Sequence, residues 1–594
     1  MNAPDDDDQL GKALDLAHLR RLWPFVRPYR ARFAAALAIL LVSFAVELVG
    51  PHLLRLAIDG PLTAATRGDD VDTTSLWALG LGYLAALLAG AGLGYVYAMT
   101  TTRTGQAVIR DVRAALFAHL LALDPGFFDR NPAGKLVTRV TSDVENLNEL
   151  IATGVLQSLF DLLKFVGVLA VLFWVDPGLA SFTILATPVV LVVSLVFRKH
   201  ARDAYRVVRG RLARLNAFTA EAIGGVRTTR LFEREAWVDR TYGELNEATR
   251  AAWGRTVVQF ALFFACVDFA IHCTQVGLLW FGGREILAGT LSVGVFTQFW
   301  LYFGKVTDPI KELGEKYNVL QSAFASAERI FKILDTETRV ADRPGARPSP
   351  RGPARIEFEN VSFGYLPGRP VLHDVSFTVA PGETVALVGP TGAGKSTVLA
   401  LLSRLRDPDS GRVLLDGVDL RDLTLESLRA RIAVVPQDVF LFGGTVRDNV
   451  SLFDESIDDR RVQEALAAVG AADLVSRLPG GLDATVDERG ATFSQGERQL
   501  LSFARALAFH PDVLVLDEAT ANIDSESEAR IQKALQVLLQ GRTALVVAHR
   551  LSTVRHADRI LVLKQGRIVE AGRHEELMAR NGVYRRMVEQ AASG

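Results

Sequence analysis

Long apolar stretches in the first 335 residues of this 594-residue chain limit its fold more than any other feature. A helix that spans a bilayer needs about 20 largely apolar residues, and about six such segments are present. Buried helices of a soluble core do not match their length and number, so we predict a helical membrane domain. From about residue 355 onward, short β-branched runs alternate with polar helical segments, a pattern typical of a soluble α/β domain. The candidate spans lie near 33–57, 76–99, 152–175, 178–197, 256–281 and 291–313.

Charge and cysteine content exclude several classes of protein. The formal net charge is -1, so the chain lacks the basic excess that neutralises phosphates, and we expect no nucleic-acid partner. Its two cysteines, Cys266 and Cys273, lie in one apolar segment and cannot build a disulfide framework or a cysteine-rich metal site from this chain alone. The acidic run at 5–8 and the late start of the first apolar segment are not typical of a cleaved signal peptide.

The residues that flank the first span predict the orientation of the chain. Arg20, Arg27 and Arg32 precede this span, while Asp59 and Asp72 follow it. Basic flanks favour the cytoplasmic side, so the N-terminus is expected there. An even number of spans returns the chain to the cytoplasm before the soluble domain begins. We therefore predict a multi-pass protein of the cell inner (cytoplasmic) membrane, with its N-terminus and soluble domain in the cytoplasm.

Ionisable residues within the predicted spans carry a cost of about 2.5–3.5 kcal/mol each at the bilayer centre. They should therefore face a cavity or one another. Asp161 and Lys164 share a helix face by their spacing, as do Asp268 and His272, and Glu47 lies in the first span. These residues either line a polar substrate or proton pathway or pair internally to hold the helices in register, and the sequence leaves both alternatives open.

A glycine-rich loop, GPTGAGKST at 389–397, lies between a strand-like run at 384–388 and a helix-like run at 398–405. This is a complete P-loop in its expected context. The glycines allow backbone N–H groups to surround phosphates, Lys395 reaches the β- and γ-phosphates, and Ser396 can bind Mg²⁺. The residues predicted to bind ATP are Gly389, Thr391, Gly392, Ala393, Gly394, Lys395, Ser396 and Thr397.

The run VLVLDE at 513–518 predicts a buried strand that ends in two carboxylates. Asp517 suits Mg²⁺, either directly or through water, and Glu518 suits polarising the water that attacks ATP. Acidic pairs at strand ends are common, but together with a P-loop this pair indicates an ATPase.

Between these two motifs lies FSQGERQ at 493–499, directly before a helix-like segment. Here the chain resembles the ABC transporter family, whose signature is usually LSGGQ. Ser494 and Gly496 match that signature, whereas the other three positions depart from it, and Glu497 places a carboxylate near an anion-binding loop. The resemblance implies nucleotide binding by Ser494, Gln495, Gly496 and Glu497.

Other motifs of the family match residue by residue. Tyr365 resembles the aromatic residue that stacks on adenine, and Gln437 resembles the Q-loop glutamine that touches Mg²⁺. Asp524 resembles the D-loop aspartate, His549 resembles the switch histidine that contacts the γ-phosphate, and Glu488 begins a short exporter motif. The resemblance implies catalytic roles for Glu518, His549 and Gln437, metal contacts for Ser396, Gln437 and Asp517, and nucleotide contacts for Tyr365 and Asp524.

The two long connections between predicted spans also resemble the family. They cover 103–123 and 198–250, are charged and helix-like, and are followed or interrupted by Gly or Pro, which marks turns. Residues 127–144 resemble the first coupling region of bacterial exporters, and 220–232 resemble the second. Each connection is expected to present a short element to the ATPase domain.

The resemblance covers nearly the whole chain and implies a six-helix transmembrane domain followed by an α/β P-loop ATPase domain. In this family, ATP binds between two ATPase domains, with the P-loop of one facing the signature of the other. A second half-transporter is therefore implied, either identical or different. We expect a flexible tail at 1–20, the transmembrane domain at 21–335, a linker at 336–354 and the nucleotide-binding domain at 355–594.

The function implied by the resemblance is ATP-driven export or leaflet flipping of hydrophobic or amphipathic small molecules, drugs or lipids, with ATP and Mg²⁺ as cofactors and membrane lipids as surroundings. An ATP-gated channel would use the same parts. A soluble ABC ATPase acting on ribosomes or DNA would lack the apolar segments, and importers usually keep the two domains on separate chains, which is an argument by analogy. The substrate and the identity of the partner stay open.

Overall fold

The structure is a computed structural model that describes residues 16–593 except 69–71, 151–154, 518–524 and 549–553. The chain forms two compact units. The first unit contains Met1–Leu120 and Gly134–Asp335, and the second contains Leu121–Ala133 and Thr336–Gly594. As predicted, a helical unit comes before a unit that contains β-sheets.

Long helices build the first unit. Several of them run for 40 residues or more as single elements, because apolar spans continue directly into charged helical extensions. The helix α1 already takes up the last part of the expected N-terminal tail. In chain order the helices up to residue 334 are α1 Leu16–Val26, α2 Arg30–Ala57, α3 Thr63–Arg67, α4 Thr73–Ala122, α5 Pro125–Arg130, α6 Ala133–Thr138, α7 Val144–Asn148, α8 Val155–Val175, α9 Pro177–Gly224, α10 Val226–Leu231, α11 Glu235–Leu287 and α12 Val293–Leu334.

Three helical stretches among the described residues are long and apolar enough to cross a membrane, namely Arg20–Arg67, Thr73–Ala122 and Glu235–Leu287. At most 11% of the most apolar window of each is buried within the chain. Apolar helices that a soluble protein would bury are thus left facing outward, as a lipid-embedded domain requires. The count of six spans stays a prediction.

Aromatic and aliphatic side chains pack these helices together. The helices α9 and α11 lie side by side, and Phe197 stacks on Phe263 with ring centroids 4.1 Å apart. A second cluster joins α8 to α12 through fully buried side chains such as Leu172 and Phe299, with Leu278 of α11 packed among them.

A polar cluster links three of the long helices. Glu47 on α2 accepts hydrogen bonds from Lys164 on α8 at 3.0 Å and from Lys305 on α12 at 2.6 Å. The contacts of Glu47 therefore favour internal pairing for this residue and Lys164. Outside this cluster, a ring nitrogen of His272 on α11 lies 2.8 Å from the Gln275 side-chain oxygen, one turn along the same helix. Lys305 was not identified from the sequence.

Two sheets organise the second unit. One has four strands in the order β2-β1-β4-β5, all antiparallel, and the other has six strands in the order β12-β11-β3-β10-β9-β6. All neighbours in the six-stranded sheet are parallel except β12 and β11. The strands are β1 Ile356–Phe363, β2 Leu372–Val379, β3 Thr384–Val388, β4 Ser410–Leu415, β5 Val418–Asp419, β6 Ile432–Val435, β7 Gly444–Thr445, β8 Thr485–Val486, β9 Val513–Asp517, β10 Thr543–Val547, β11 Arg559–Lys564 and β12 Arg567–Gly572.

Helices cover the parallel sheet, and apolar cores lie between the layers. The four central parallel strands are almost entirely buried, which explains their continuous β-branched runs. The described helices of this unit after α5 are α13 Lys395–Leu402, α14 Leu425–Arg431, α15 Val446–Ser451, α16 Asp459–Ala468, α17 Ala472–Arg477, α18 Gln495–Ala508, α19 Ser525–Leu539, α20 His574–Ala579 and α21 Val583–Ser593.

Two segments that precede the expected ATPase domain in sequence belong to this second unit. Residues 121–133, which include α5, pack with it, and Asp124 Oδ2 accepts a hydrogen bond from the backbone N–H of Arg339 at 3.2 Å. The expected linker at 336–354 also packs here, since the Gly352 carbonyl accepts from Arg431 Nη2 at 3.0 Å. Polar contacts therefore hold both segments to this unit, although residues 121–133 are connected along the chain only to the first unit.

Candidate nucleotide site

The P-loop leaves the six-stranded sheet at the end of β3 and leads into α13. The strand β3 lies between β10 and β11, so the loop stands at the carboxyl edge of parallel strands, where open α/β sheets bind ligands. Gly394 has a φ of 103°, and a Cβ atom at Gly389 would lie 2.1 Å from the carbonyl oxygen of Leu563. Only glycine fits these two positions. The other loop residues predicted to bind ATP follow the same path. Thr391, Gly392 and Ala393 lie between these two glycines, and Ser396 and Thr397 lie in the first turn of α13.

Lys395 is held inside the loop. Its ammonium donates to the carbonyl oxygens of Gly389 at 2.7 Å and Pro390 at 3.2 Å, and the residue is 7% exposed. Burial lowers the pKa of Lys395, and the negative charge of Asp517 opposes that shift. The loop therefore holds a partly desolvated cation, which attracts phosphate oxygens more strongly than a solvated one would.

Asp517 ends β9, as the sequence predicted for the 513–518 run. The strand β9 pairs with β10, where Asp517 lies opposite Val547, and β10 pairs in turn with β3. One strand thus separates Asp517 from the P-loop at the same sheet edge. The other residues predicted for this edge, Glu518, Asp524 and His549, lie outside the described residues.

Gln437 follows β6, the strand on the far side of β9. Val435 of β6 pairs with Leu516 of β9, so Gln437 and Asp517 leave neighbouring strands at the same edge. Gln437 is exposed, as is Ser396 in the first turn of α13. The sheet thereby brings the three residues predicted to contact a metal to one edge.

Tyr365 follows β1 and meets the start of α13. Its hydroxyl lies 3.2 Å from the Thr397 hydroxyl, and its ring meets the Phe363 ring edge-on at 5.1 Å. The residue is 46% exposed, so Tyr365 is not a core aromatic. A base bound beside the P-loop would find this ring available for stacking.

The segment that resembles the family signature forms the start of α18. Ser494 is its N-cap, with the side-chain oxygen accepting from the Glu497 N–H at 3.3 Å, while Glu497 Oε2 accepts from the Ser494 N–H at 2.8 Å. This is a capping box. The carboxylate that departs from the family pattern is thus occupied with the backbone of its own motif. Gly496 is buried, and Gln495 is exposed.

Sequence reasoning missed two arginines of this region. Arg505, on α18, donates to the carbonyl oxygens of Asn449 at 2.8 Å and Phe440 at 3.1 Å, so it ties the signature helix to the segment after Gln437. Arg406 lies against the ring of Tyr365, with the guanidinium carbon 4.9 Å from its centroid. Neither lies in a glycine-rich or acidic motif, so only the three-dimensional contacts identify them.

An outward-facing set of long apolar helices joined to a P-loop ATPase fold defines the class of ATP-driven membrane transporters. Comparison with known families agrees. Residues 33–310 match the family described as ABC transporter transmembrane region, and residues 372–521 match the family described as ABC transporter. The chain belongs to the ABC transporter family, as a multi-pass membrane protein whose nucleotide-binding domain couples ATP hydrolysis to transport.

Individual relatives agree with this assignment. The chain is 40% identical over 84% of its length to a probable multidrug resistance ABC transporter ATP-binding/permease protein, YheH of Bacillus subtilis, covering 74% of that protein. It is 34% identical over 95% of its length to an ATP-dependent lipid A-core flippase of Syntrophus aciditrophicus, covering 93% of it. A solved structure of a bacterial Atm1-family ABC exporter with ATP bound is similar, with a TM-score of 0.78, 29% identity and coverage of 95% of this chain and 98% of that one.

Proposed function

We propose that this protein is a half-transporter that exports or flips hydrophobic or amphipathic small molecules, drugs or lipids across the cytoplasmic membrane, using ATP and Mg²⁺. The observation that carries the proposal is the joining, in one chain, of outward-facing apolar helices to a P-loop on the edge of a parallel sheet. Relatives of similar length carry names of multidrug and lipid transporters, and this supports a membrane-soluble substrate.

We assign one role to each of the main predicted residues of the ATP site. Backbone N–H groups of the P-loop and Lys395 bind the phosphates, and Tyr365 stacks on the base. Glu518, the next residue in the sequence after β9, orients and polarises the attacking water, and His549, two residues after β10 in the sequence, contacts the γ-phosphate. Hydrolysis then removes the γ-phosphate from the site, so the contacts that this charged group makes in the ATP-bound state are lost.

The residues at this edge also fit a magnesium ion. No group of three or more His, Cys, Asp or Glu side chains that suits a metal occurs among the described residues. Mg²⁺ needs no such group, because it keeps waters and phosphate oxygens and takes only one or two protein ligands. Ser396, Asp517 and Gln437 supply oxygen atoms of the right kind. When bound, the ion would neutralise negative charge on the phosphates.

Exposed apolar patches on each unit support a dimer. In the first unit, Ile223, Leu231 and Phe232 are at least 70% exposed around α10, the second predicted coupling region. In the second unit, Phe440 and Phe442, which follow Gln437 by three and five residues, form an exposed aromatic pair. Patches of this kind mark protein contacts. We propose that a second half-transporter, identical or different, covers them and presents its signature to the P-loop of this chain.

The first test uses the full chain, purified in lipid nanodiscs, with Glu518→Gln as the variant and Glu464→Gln as a matched surface control. We expect Glu518→Gln to retain ATP binding and to lose hydrolysis by about 100-fold or more, as expected for removal of a general base. Glu464, exposed on α16 and paired with Arg460 at 3.8 Å, should be silent. Full hydrolysis by Glu518→Gln in a homodimer would contradict its role.

Native mass spectrometry of the same samples decides the assembly. An active dimer of this chain alone would establish a homodimer, and transport could then be measured in proteoliposomes with a fluorescent lipid and a hydrophobic dye. An inactive monomer would indicate a different partner chain. Transport of neither probe class, together with ATP-dependent ion conductance, would favour the channel alternative.

A further inference from the structure

Arg406 connects two parts of the second unit that are far apart in sequence. It lies between α13 and β4, and its side chain is only 19% exposed. One side of the guanidinium faces α5, where it forms an ion pair with Asp129. The other contact is with the ring of Tyr365, at 4.9 Å from the guanidinium carbon to the ring centroid. A single side chain therefore touches both the first predicted coupling segment and the predicted base-stacking residue.

The α5 side of this connection is closely fitted. A Cβ atom at Gly126 would lie 2.6 Å from Arg406 Nη1, so the backbone of α5 comes directly against the guanidinium. Phe127 is buried, and Asp124 holds the start of α5 to the backbone N–H of Arg339. The Arg406 side chain is thus part of the surface on which α5 is seated.

The Tyr365 side leads to the P-loop helix. The Tyr365 hydroxyl contacts Thr397, two residues after Lys395, so the ring is fixed at one end by α13 and along one face by Arg406. A cation placed over an aromatic ring is attracted to it by the quadrupole of the ring. The orientation of the ring consequently depends on where the guanidinium lies.

We infer that Arg406 is a positioning residue that couples base binding at Tyr365 to the seating of α5, so that each favours the other. This inference rests on the proposed function, since it assigns a regulator to the same ATP site. With α5 seated, Asp129 holds the guanidinium over the ring, and the ring is ordered for stacking. With α5 displaced, the guanidinium loses its carboxylate, and the ring loses its fixed neighbour. Thermodynamic coupling is reciprocal, so bound nucleotide in turn favours seated α5.

An arginine is suited to this position for a chemical reason. Its planar guanidinium can stack on a ring with its face and pair with a carboxylate along its edge at the same time. A lysine ammonium is a compact charge and cannot do both with the same geometry. Arg406→Lys should therefore keep part of the charge pairing with Asp129 but lose much of the effect on Tyr365.

The test measures ATP affinity in variants that do not touch the nucleotide. Full-length protein in nanodiscs is titrated with a ribose-labelled fluorescent ATP analogue, and hydrolysis is measured with and without a transported dye. Asp129→Asn should weaken binding by about 2- to 5-fold, the range of an exposed ion pair, and Arg406→Ala by about 3- to 10-fold. Both should reduce the ratio of dye-stimulated to basal hydrolysis.

The double variant separates coupling from general damage. In an Arg406→Ala background, Asp129→Asn should have no further effect on ATP affinity, because the residue that transmits its influence is gone. Arg412→Ala removes an arginine paired with Glu359 at 2.7 Å on the surface of the same unit and should change neither readout. Melting temperatures of all variants show whether they are folded.

The outcomes distinguish this inference from the proposed function. A wild-type protein that binds and hydrolyses ATP, with Asp129→Asn equal to it in ATP affinity, would overturn the role of Arg406 and leave the transporter function intact. Equal losses from Asp129→Asn in the wild-type and Arg406→Ala backgrounds would also overturn it. A wild-type protein without ATP binding would instead refute the proposed function.

Discussion

Replacing Asp143 by asparagine should destabilise the helical unit by about 3 kcal/mol, because it removes the charge from a buried carboxylate that pairs with two arginines. Asp143 lies between α6 and α7 and is 3% exposed. It accepts from Arg329 Nε at 3.0 Å and Nη2 at 2.5 Å, from Arg139 Nη1 at 2.7 Å and from the Ser326 hydroxyl at 2.9 Å. These contacts join the C-terminal end of α12 to the segment before α7.

The magnitude follows from this geometry. Breaking one partner of a buried ion pair costs about 3–5 kcal/mol, because the other charges stay desolvated. Asparagine keeps one acceptor oxygen but turns an NH₂ group toward a guanidinium. The two arginines retain some solvent access, with side chains 19% and 12% exposed. We therefore take the lower end of the range.

The assay is thermal unfolding of the full-length protein, followed by intrinsic fluorescence in nanodiscs. Glu247→Gln provides the matched control, because Glu247 pairs with Arg250 at 2.6 Å on an exposed face of α11. We expect a clear drop in Tm for Asp143→Asn and no measurable change for Glu247→Gln, since exposed pairs contribute little.

The pH dependence gives an independent check. Burial alone would raise the pKa of Asp143, but hydrogen bonds from Arg329 and Arg139 outweigh it, so its pKa lies below the ordinary 3.8. A depressed pKa stabilises the fold above pH 3.8, and that contribution is lost as the pH falls through the folded-state value. The Tm difference between Asp143→Asn and wild type should thus be constant near neutral pH and shrink below pH 3.8. Equal Tm values at pH 7 would refute the reasoning.

Two further predictions concern the ATP site. Gly394→Ala should abolish ATP binding in the fluorescent-nucleotide titration, because its φ of 103° disfavours alanine and a Cβ there would lie 2.7 Å from Leu372 Cδ2. Gly392→Ala meets a similar backbone strain at a φ of 80°, but its Cβ would enter open space, so it should retain more binding. Glu497→Ala should lose the capping box and about 1 kcal/mol of stability, lowering both Tm and hydrolysis, whereas Glu497→Gln keeps an acceptor for the Ser494 N–H and should preserve Tm. Equal Tm values for the two Glu497 variants would contradict the capping role.

The sequence predicted those parts of the site that lie in continuous motifs. The strand expected at 384–388 is β3, and the one expected at 513–518 is β9 up to Asp517. Each is a short buried run that ends at a polar residue, so its pattern is local and the parallel sheet follows from it.

Contacts between distant segments were beyond such reasoning. The Arg406 contacts bring together residues 129, 365 and 406, and no periodicity or spacing relates these positions. In the helical unit, the same-helix spacing of Lys164 indicated Asp161 as its neighbour, whereas its short contact with Glu47 comes from a different helix. Helix spacing identifies which residues share a face but not what that face meets.

The seating of α5 on the second unit also has a consequence for how the chain is made. The ribosome releases residues 121–133 long before the ATPase sequence against which they pack. This short segment, flanked by apolar helices on both sides, therefore stays unpacked until the surface that it contacts has folded. An isolated fragment that starts at residue 336 would lack this piece, leave the surface beside Arg406 uncovered and deprive that arginine of Asp129. A substitution in α5 that weakens this packing should therefore lower the yield of the whole chain, because a domain encoded far downstream would remain incomplete.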